Sequence, residues 1–144
     1  MVFHALAQHA TNHPYRILVV EDTQIIRQVT VALLVHAGYV VGAAEDGEFG
    51  WDDLCARNYD LVITDNAMPK MSGVELVEKM RSARMTTPVI LASGTLPMQE
   101  LMQNQQLDLA ATLEKPFSPD QLLQTVQQVL IKARNVRAPC YWAI

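Results

Sequence analysis

Short apolar runs recur along the chain, and most of them end abruptly in polar residues. Ile17-Leu18-Val19-Val20 ends in Glu21-Asp22, Leu61-Val62-Ile63-Thr64 in Asp65, and Val89-Ile90-Leu91-Ala92 in Ser93-Gly94. Tyr39 to Ala44 makes another such run, and Ala110 to Leu113 leads to Lys115-Pro116. Runs this short and this continuously apolar suit strands buried on both faces. Between them the period lengthens. Thr23 to His36 predicts a helix with Ile26, Val29 and Leu33 inward, stopped by Gly38. Glu45-Asp46-Gly47 turns into a short helix holding Trp51, Leu54 and Cys55. Ser72-Gly73-Val74-Glu75 is a capping box that opens a helix with Val77 and Met80 inward. Pro97 to about Gln106 predicts a helix with a poor apolar stripe, rich in Met and Gln. Ser118-Pro119-Asp120-Gln121 is a second capping box with proline at the first helical position, and Leu122, Val126 and Val129 face inward beyond it. Strand and helix alternate five times, which predicts an α/β fold with a parallel sheet covered on both faces.

This pattern divides the chain into an N-terminal arm over 1–15, one folded domain over 16–134 and a C-terminal tail over 135–144. The length of 144 residues suits one domain of ordinary size, and 50% hydrophobic composition supplies a full core. The arm holds His4, His9 and His13 without carboxylate or cysteine company, so it is not read as an ordered metal site. The tail ends in Tyr141-Trp142-Ala143-Ile144, which leaves three placements open: against the domain, between two subunits of a homodimer, or loose. A net charge of −4 without a basic block argues against direct nucleic-acid binding. No apolar run reaches the ~18 residues of a membrane span. No basic start followed by an apolar stretch marks a secretory signal. Cys55 and Cys140 make no disulfide framework, and Cys55 reads as a small buried hydrophobe, so a reducing cytoplasm is the expected location.

The chemistry lies at the strand ends. A carboxylate at the tip of a buried strand, Asp65, followed by Asn66-Ala67-Met68-Pro69, is costly without a cation or a reaction to perform. Asp60, by contrast, precedes its apolar run, and Glu45 and Asp46 suit turn and helix-entry roles. Asp65 is the residue type that serves as a covalent phosphoryl acceptor.

Four segments together resemble the receiver domain of bacterial two-component response regulators: Leu18-Val19-Val20-Glu21-Asp22, the stretch from Asp65 to Gly73, Pro88 to Gly94, and Lys115-Pro116-Phe117. They fall in order over about residues 16–131. The resemblance implies a flavodoxin-like (βα)5 three-layer sandwich with a parallel five-stranded sheet of order 2-1-3-4-5. It implies Asp65 as phosphoacceptor, and Glu21, Asp22, Asp65 and the carbonyl of Ala67 as ligands of Mg2+ (or Mn2+). Ser93 is similar to the family's switch hydroxyl and Lys115 to its ammonium, with a cis bond before Pro116. The implied donor is a sensor histidine kinase or a histidine phosphotransfer protein. With no room for a DNA-binding module after residue 131, the expected output is a contact with a downstream protein. A stand-alone regulator and a receiver cut from a hybrid kinase would read alike.

In the implied order, Glu21, Asp22 and Asp65 meet where the strand order reverses, the place where open parallel sheets collect ligands. Two unit charges ~4 Å apart repel by about 4 kcal/mol at an effective dielectric of about 20, and a hard divalent cation with oxygen ligands removes that cost. Lys115 and the Ser93 hydroxyl can then face the charge that spreads over a transferred phosphoryl group. One departure stands out: Thr112 occupies the position three before the lysine, where the family usually has an aromatic residue. This keeps open an alternative, a phosphorylation-independent receiver-like interaction module. Phosphatases with a strand-end aspartate need a second acid where Ala67 stands, and Glu21-Asp22-Thr23 would repel the phosphate of a flavin, so an enzyme acting on other molecules is not expected.

Overall fold

The computed structural model describes residues 14–142, with side chains through Asn135. Its elements are β1 (Arg16–Val20), α1 (Gln24–His36), β2 (Val40–Ala44), α2 (Gly47–Ala56), β3 (Leu61–Asp65), α3 (Gly73–Ser82), β4 (Val89–Ser93), α4 (Met98–Gln103), a 3-10 turn (Gln105–Leu107), β5 (Ala111–Glu114) and α5 (Pro119–Trp142). The five strands are parallel and ordered β2-β1-β3-β4-β5, the flavodoxin-like arrangement that the family resemblance implied. The order reverses between β1 and β3, and the register sets Val20 beside Thr64 and Asp65 beside Ala92.

Alternation along the buried strands splits the core in two. Ile17, Val19, Ile63 and Ile90 face α1 and α5, where Leu34, Leu122 and Val126 close over them. Leu18, Val20, Val62 and Leu91 face the other way, against Leu54 of α2 and Val74, Val77 and Met80 of α3. Each such side chain contributes roughly 1.5–3 kcal/mol by leaving water, so the three central strands anchor the site above them. Both capping boxes form: Ser72 accepts from Glu75 N while Glu75 accepts from Ser72 N, and Ser118 and Gln121 exchange the same pair of bonds.

Several elements depart from the sequence expectation. The buried residues of α1 are Thr30 and Leu34, whereas Val29 is 56% exposed. With 3.6 residues per turn, a shift of one position turns the helix by about 100°. Apolar residues ring most of α1, so its pattern did not single out one face. Cys55 is exposed, because Gly50 and Leu54 supply the buried side of α2. The helix expected over 97–106 is shorter and broken. Asn104, at φ −123° and ψ 75°, leaves the helical region, and α4 has no buried residue to hold a longer one. At the C-terminus α5 continues to Trp142, beyond the expected start of the tail at 135. Lys132, Ala133 and Arg134 are good helix formers and no glycine interrupts them. Of the expected arm, Tyr15 already belongs to the fold: its carbonyl accepts from Val40 N at 3.0 Å. Residues 1–13, with the three histidines, and the side chains of the terminal Tyr141-to-Ile144 segment lie outside the described residues. Among the described residues no helix is long and apolar enough to cross a membrane.

Candidate functional site

The carboxyl ends of four strands converge at the point of reversal. Glu21 follows β1 directly, Asp65 ends β3, Ser93 ends β4, and Lys115 lies one residue beyond β5. Glu21, Asp65 and Ser93 are all buried, and Asp22 is exposed beside them. Carboxylate oxygens of Glu21, Asp22 and Asp65 lie within 4.8 Å of one another. The Lys115 ammonium sits 2.6 Å from Glu21 Oε1 and 3.3 Å from Asp65 Oδ1. Three carboxylates against one ammonium leave the centre formally negative. An all-oxygen, negatively charged donor set of this kind suits a hard divalent cation.

Proton affinities follow from this crowding. Burial pushes the Glu21 carboxyl up from the ordinary glutamate value, Asp65 pushes it further, and the Lys115 hydrogen bond opposes both without cancelling them. Burial alone would pull the Lys115 ammonium down. Its hydrogen bond to Glu21 and the charges of Glu21 and Asp65 outweigh that, so it stays protonated above the usual lysine range.

The two oxygens of Asp65 are unequal. Oδ1 accepts from Asn66 N at 2.9 Å and faces Lys115, while among the described residues Oδ2 accepts no hydrogen bond. The backbone around Asp65 is held just as firmly. Asn66 Oδ1 accepts from Val74 N at 3.1 Å and Asn66 O from Gly73 N at 3.0 Å, tying the strand end to the start of α3. A Cβ on Gly73 would lie 2.3 Å from the Asp65 carbonyl oxygen, so only glycine permits this approach. Ser93 Oγ donates to Thr95 O at 2.8 Å and accepts from Thr95 N at 3.3 Å. The Lys115–Pro116 bond is cis, and Lys115 N donates to Ser93 O at 2.9 Å.

The strand-end residues named from the sequence therefore meet at one place, with Ala67 exposed two residues past Asp65. Residues set aside there have other work. Asp46 caps α2 by accepting from Phe49 N, and Asp60 accepts from Arg16 N at the far end of the sheet. Thr112 is exposed on β5 opposite Leu91. Sequence reasoning missed Asn66 and Arg27, whose Nη1 donates to Glu21 O at 2.7 Å. Both act on backbone groups, which leave no signature in residue spacing. It also missed an apolar groove of about 420 Å³ beside Lys115, where Ile25, Ile26 and Val29 of α1 face Pro116, Phe117 and Pro119.

Comparison with known proteins agrees with this geometry. The family model described as response regulator receiver domain matches residues 17–127. The transcriptional regulatory protein DltR of Streptococcus agalactiae is 35% identical over 127 residues, covering 85% of this chain and 57% of DltR. The chain thus spans little more than half the length of that relative. A CheY-like receiver domain protein of Methanospirillum hungatei is similar in structure, with a TM-score of 0.81 and 26% identity over 85% of this chain and 98% of its own. The response regulator TrrA of Thermotoga maritima, solved in complex with Mg(2+)-BeF, is 30% identical, with a TM-score of 0.72 over 80% of this chain and 98% of its own.

Proposed function

The chain belongs to the response regulator receiver domain family of two-component signalling, and from that membership we propose that Asp65 accepts a phosphoryl group from a histidine of a sensor kinase or phosphotransfer protein. The observation that carries this reading is the inequality of the two Asp65 oxygens. Oδ1 is occupied by Asn66 N and Lys115, which leaves Oδ2 to attack. The new bond joins Oδ2 to phosphorus, the phosphorus–nitrogen bond of the donor breaks, and the imidazole keeps that electron pair. Glu21, Asp22, Asp65 and the Ala67 carbonyl would hold Mg2+ (or Mn2+), which would supply positive charge to the phosphoryl oxygens, and the TrrA complex is consistent with such a site. Lys115 provides a second positive charge, and the backbone N–H groups near Ala67 and Gly94 add donors.

Phosphorylation adds roughly one negative charge at Asp65. In this reading Ser93 gives up Thr95 O and donates to the phosphoryl group, and Lys115 shifts its balance from Glu21 towards the new charge. The loop after β4 moves with Ser93 and alters the α4–β5 face, where Met98, Met102 and Thr112 are exposed to a downstream protein. The domain promotes only its own phosphorylation and dephosphorylation. Residues 16–134 form the receiver unit, working in the cytoplasm. The groove seats the donor, because it is an apolar surface bordered by Lys115, which contacts Asp65.

A second reading, an interaction module indifferent to phosphorylation, is favoured by Thr112 and by an α4 without buried residues. Acetyl phosphate with Mg2+, followed by intact mass, separates the two. The first reading expects a gain of one phosphoryl group that disappears in Asp65→Asn; no gain at any Mg2+ level supports the second.

A further inference from the structure

Arg27 stands one turn into α1, against the backbone of the two acids Glu21 and Asp22, yet among the described residues it forms an ion pair with neither. The ion pairs formed there are Arg57–Asp53, Lys70–Asp46, and Lys115 with Glu21 and Asp65. Arg27 instead directs Nη1 to main-chain oxygens, at 2.7 Å to Glu21 O and 3.5 Å to Asp22 O. Charge alone would draw a guanidinium to a carboxylate. Nη1 carries two N–H donors at fixed angles, so this one guanidinium nitrogen can reach both neighbouring carbonyls, an arrangement that a freely rotating ammonium holds less well.

The segment it braces is the three-residue link from β1 to α1 that carries two of the three acids. Apart from the Lys115 ammonium at 2.6 Å from the Glu21 side chain and the first helical bond, Arg27 N to Thr23 O at 2.9 Å, the link has few other restraints. Glu21 N donates to Ala44 O at 3.0 Å, Thr23 N reaches Glu21 Oε2 at 3.3 Å, and Thr23 makes no side-chain cap for the helix. Fixing the two carbonyls fixes the peptide planes, and with them the directions in which Glu21 and Asp22 leave the backbone.

We infer that Arg27 is a positioning residue, which presets Glu21 and Asp22 for a divalent cation through their carbonyl groups while engaging neither carboxylate itself. The inference rests on the receiver reading above and adds to it a residue outside the acid set. Holding the supports of metal ligands in place is worth about 10-fold or more in metal affinity.

The test measures Mn2+ affinity, by counting the free ion with electron paramagnetic resonance, alongside thermal unfolding of the metal-free protein. Arg27→Met and Arg27→Lys are each expected to bind Mn2+ about 10-fold more weakly than wild type, with metal-free unfolding close to wild type. Arg27→Met is the sharper variant, because losing a cation beside acids would by charge alone tighten binding. Affinity in Arg27→Met equal to or above wild type overturns the inference. So does a loss of affinity that comes only with loss of the fold. If Arg27→Met fails to fold, Arg27→Lys decides, and unchanged affinity there overturns the inference. Wild-type protein that binds no Mn2+ would instead remove the metal-dependent phosphoacceptor reading on which the inference rests.

Discussion

Glu21 is pulled in opposite directions by its neighbours. Lys115 holds it at 2.6 Å, but burial and Asp65 together raise its proton affinity above the ordinary value of 4.5. A carboxyl whose folded pKa is raised favours the fold when protonated. That contribution is complete below the unfolded value and lost as pH rises through the folded value. At neutral pH the ionised Glu21 therefore strains the metal-free protein. Glu21→Gln is expected to be more stable than wild type at neutral pH without metal. The gap should close as pH falls below 4.5, where wild type carries a neutral carboxyl too. Chemical denaturation of both proteins across pH checks the sign. The acids were legible in the sequence because each ends an apolar run. Arg27 and Asn66 were not, because their partners are peptide groups. Cys55 was misplaced because a small apolar side chain fits either side of a short helix.

Among the elements, the strands were plain from sequence, since buried runs such as Leu61–Asp65 have no competing reading. Helix α1 was not, because Ile25, Ile26, Val29, Leu33 and Leu34 compete for one core. The phase it adopts leaves Ile25 and Val29 in the groove beside Lys115. Val29→Glu should slow phosphoryl transfer from a cognate kinase at least 10-fold, the effect of about 1.4 kcal/mol, and leave uptake from acetyl phosphate unchanged. Equal slowing with both donors would place the fault in the site and not the groove. Helix α4 was the other uncertain element: it has no buried residue, and it is the 3-10 turn after it that is tied to α3. Half-buried Arg81 on α3 donates Nε to Leu107 O at 2.8 Å and Nη1 to Met85 O and Thr87 O at 2.8 and 2.9 Å. Arg81→Met should cost on the order of 3 kcal/mol, seen as a lowered denaturation midpoint and faster amide exchange at Leu107 to Ala111. At α3, the capping box predicts that Ser72→Ala loses about 1 kcal/mol. Gly73→Ala should lose roughly 1–3 kcal/mol by overpacking and also impair phosphorylation, because the added methyl meets the Asp65 carbonyl.

At the scale of the molecule, the order β2-β1-β3-β4-β5 decides where chemistry can occur. Helices α1 and α5 cover one face of the sheet and α2 to α4 the other, leaving a crevice only where the order reverses. A cation in that crevice binds the folded chain and not the unfolded one, so at about 100 times its dissociation constant it should add about 2.7 kcal/mol of stability. Asp22→Asn, which leaves the buried Glu21–Lys115 pair in place, should lose most of that increment in a melt with and without Mg2+. The strand order itself was not readable from alternation of elements, which gives a parallel sheet but not its sequence of neighbours.

Glu21 and Lys115 touch although 94 positions separate them along the chain, with β2, β3 and β4 between. A polypeptide still emerging from the ribosome holds the acids long before it holds the lysine that tempers them. Until the fifth strand docks at the sheet's edge, Asp65 lacks the Lys115 ammonium at its side. On the phosphoacceptor reading proposed above, competence to receive a signal would thus require finished assembly, and a half-made chain would stay silent.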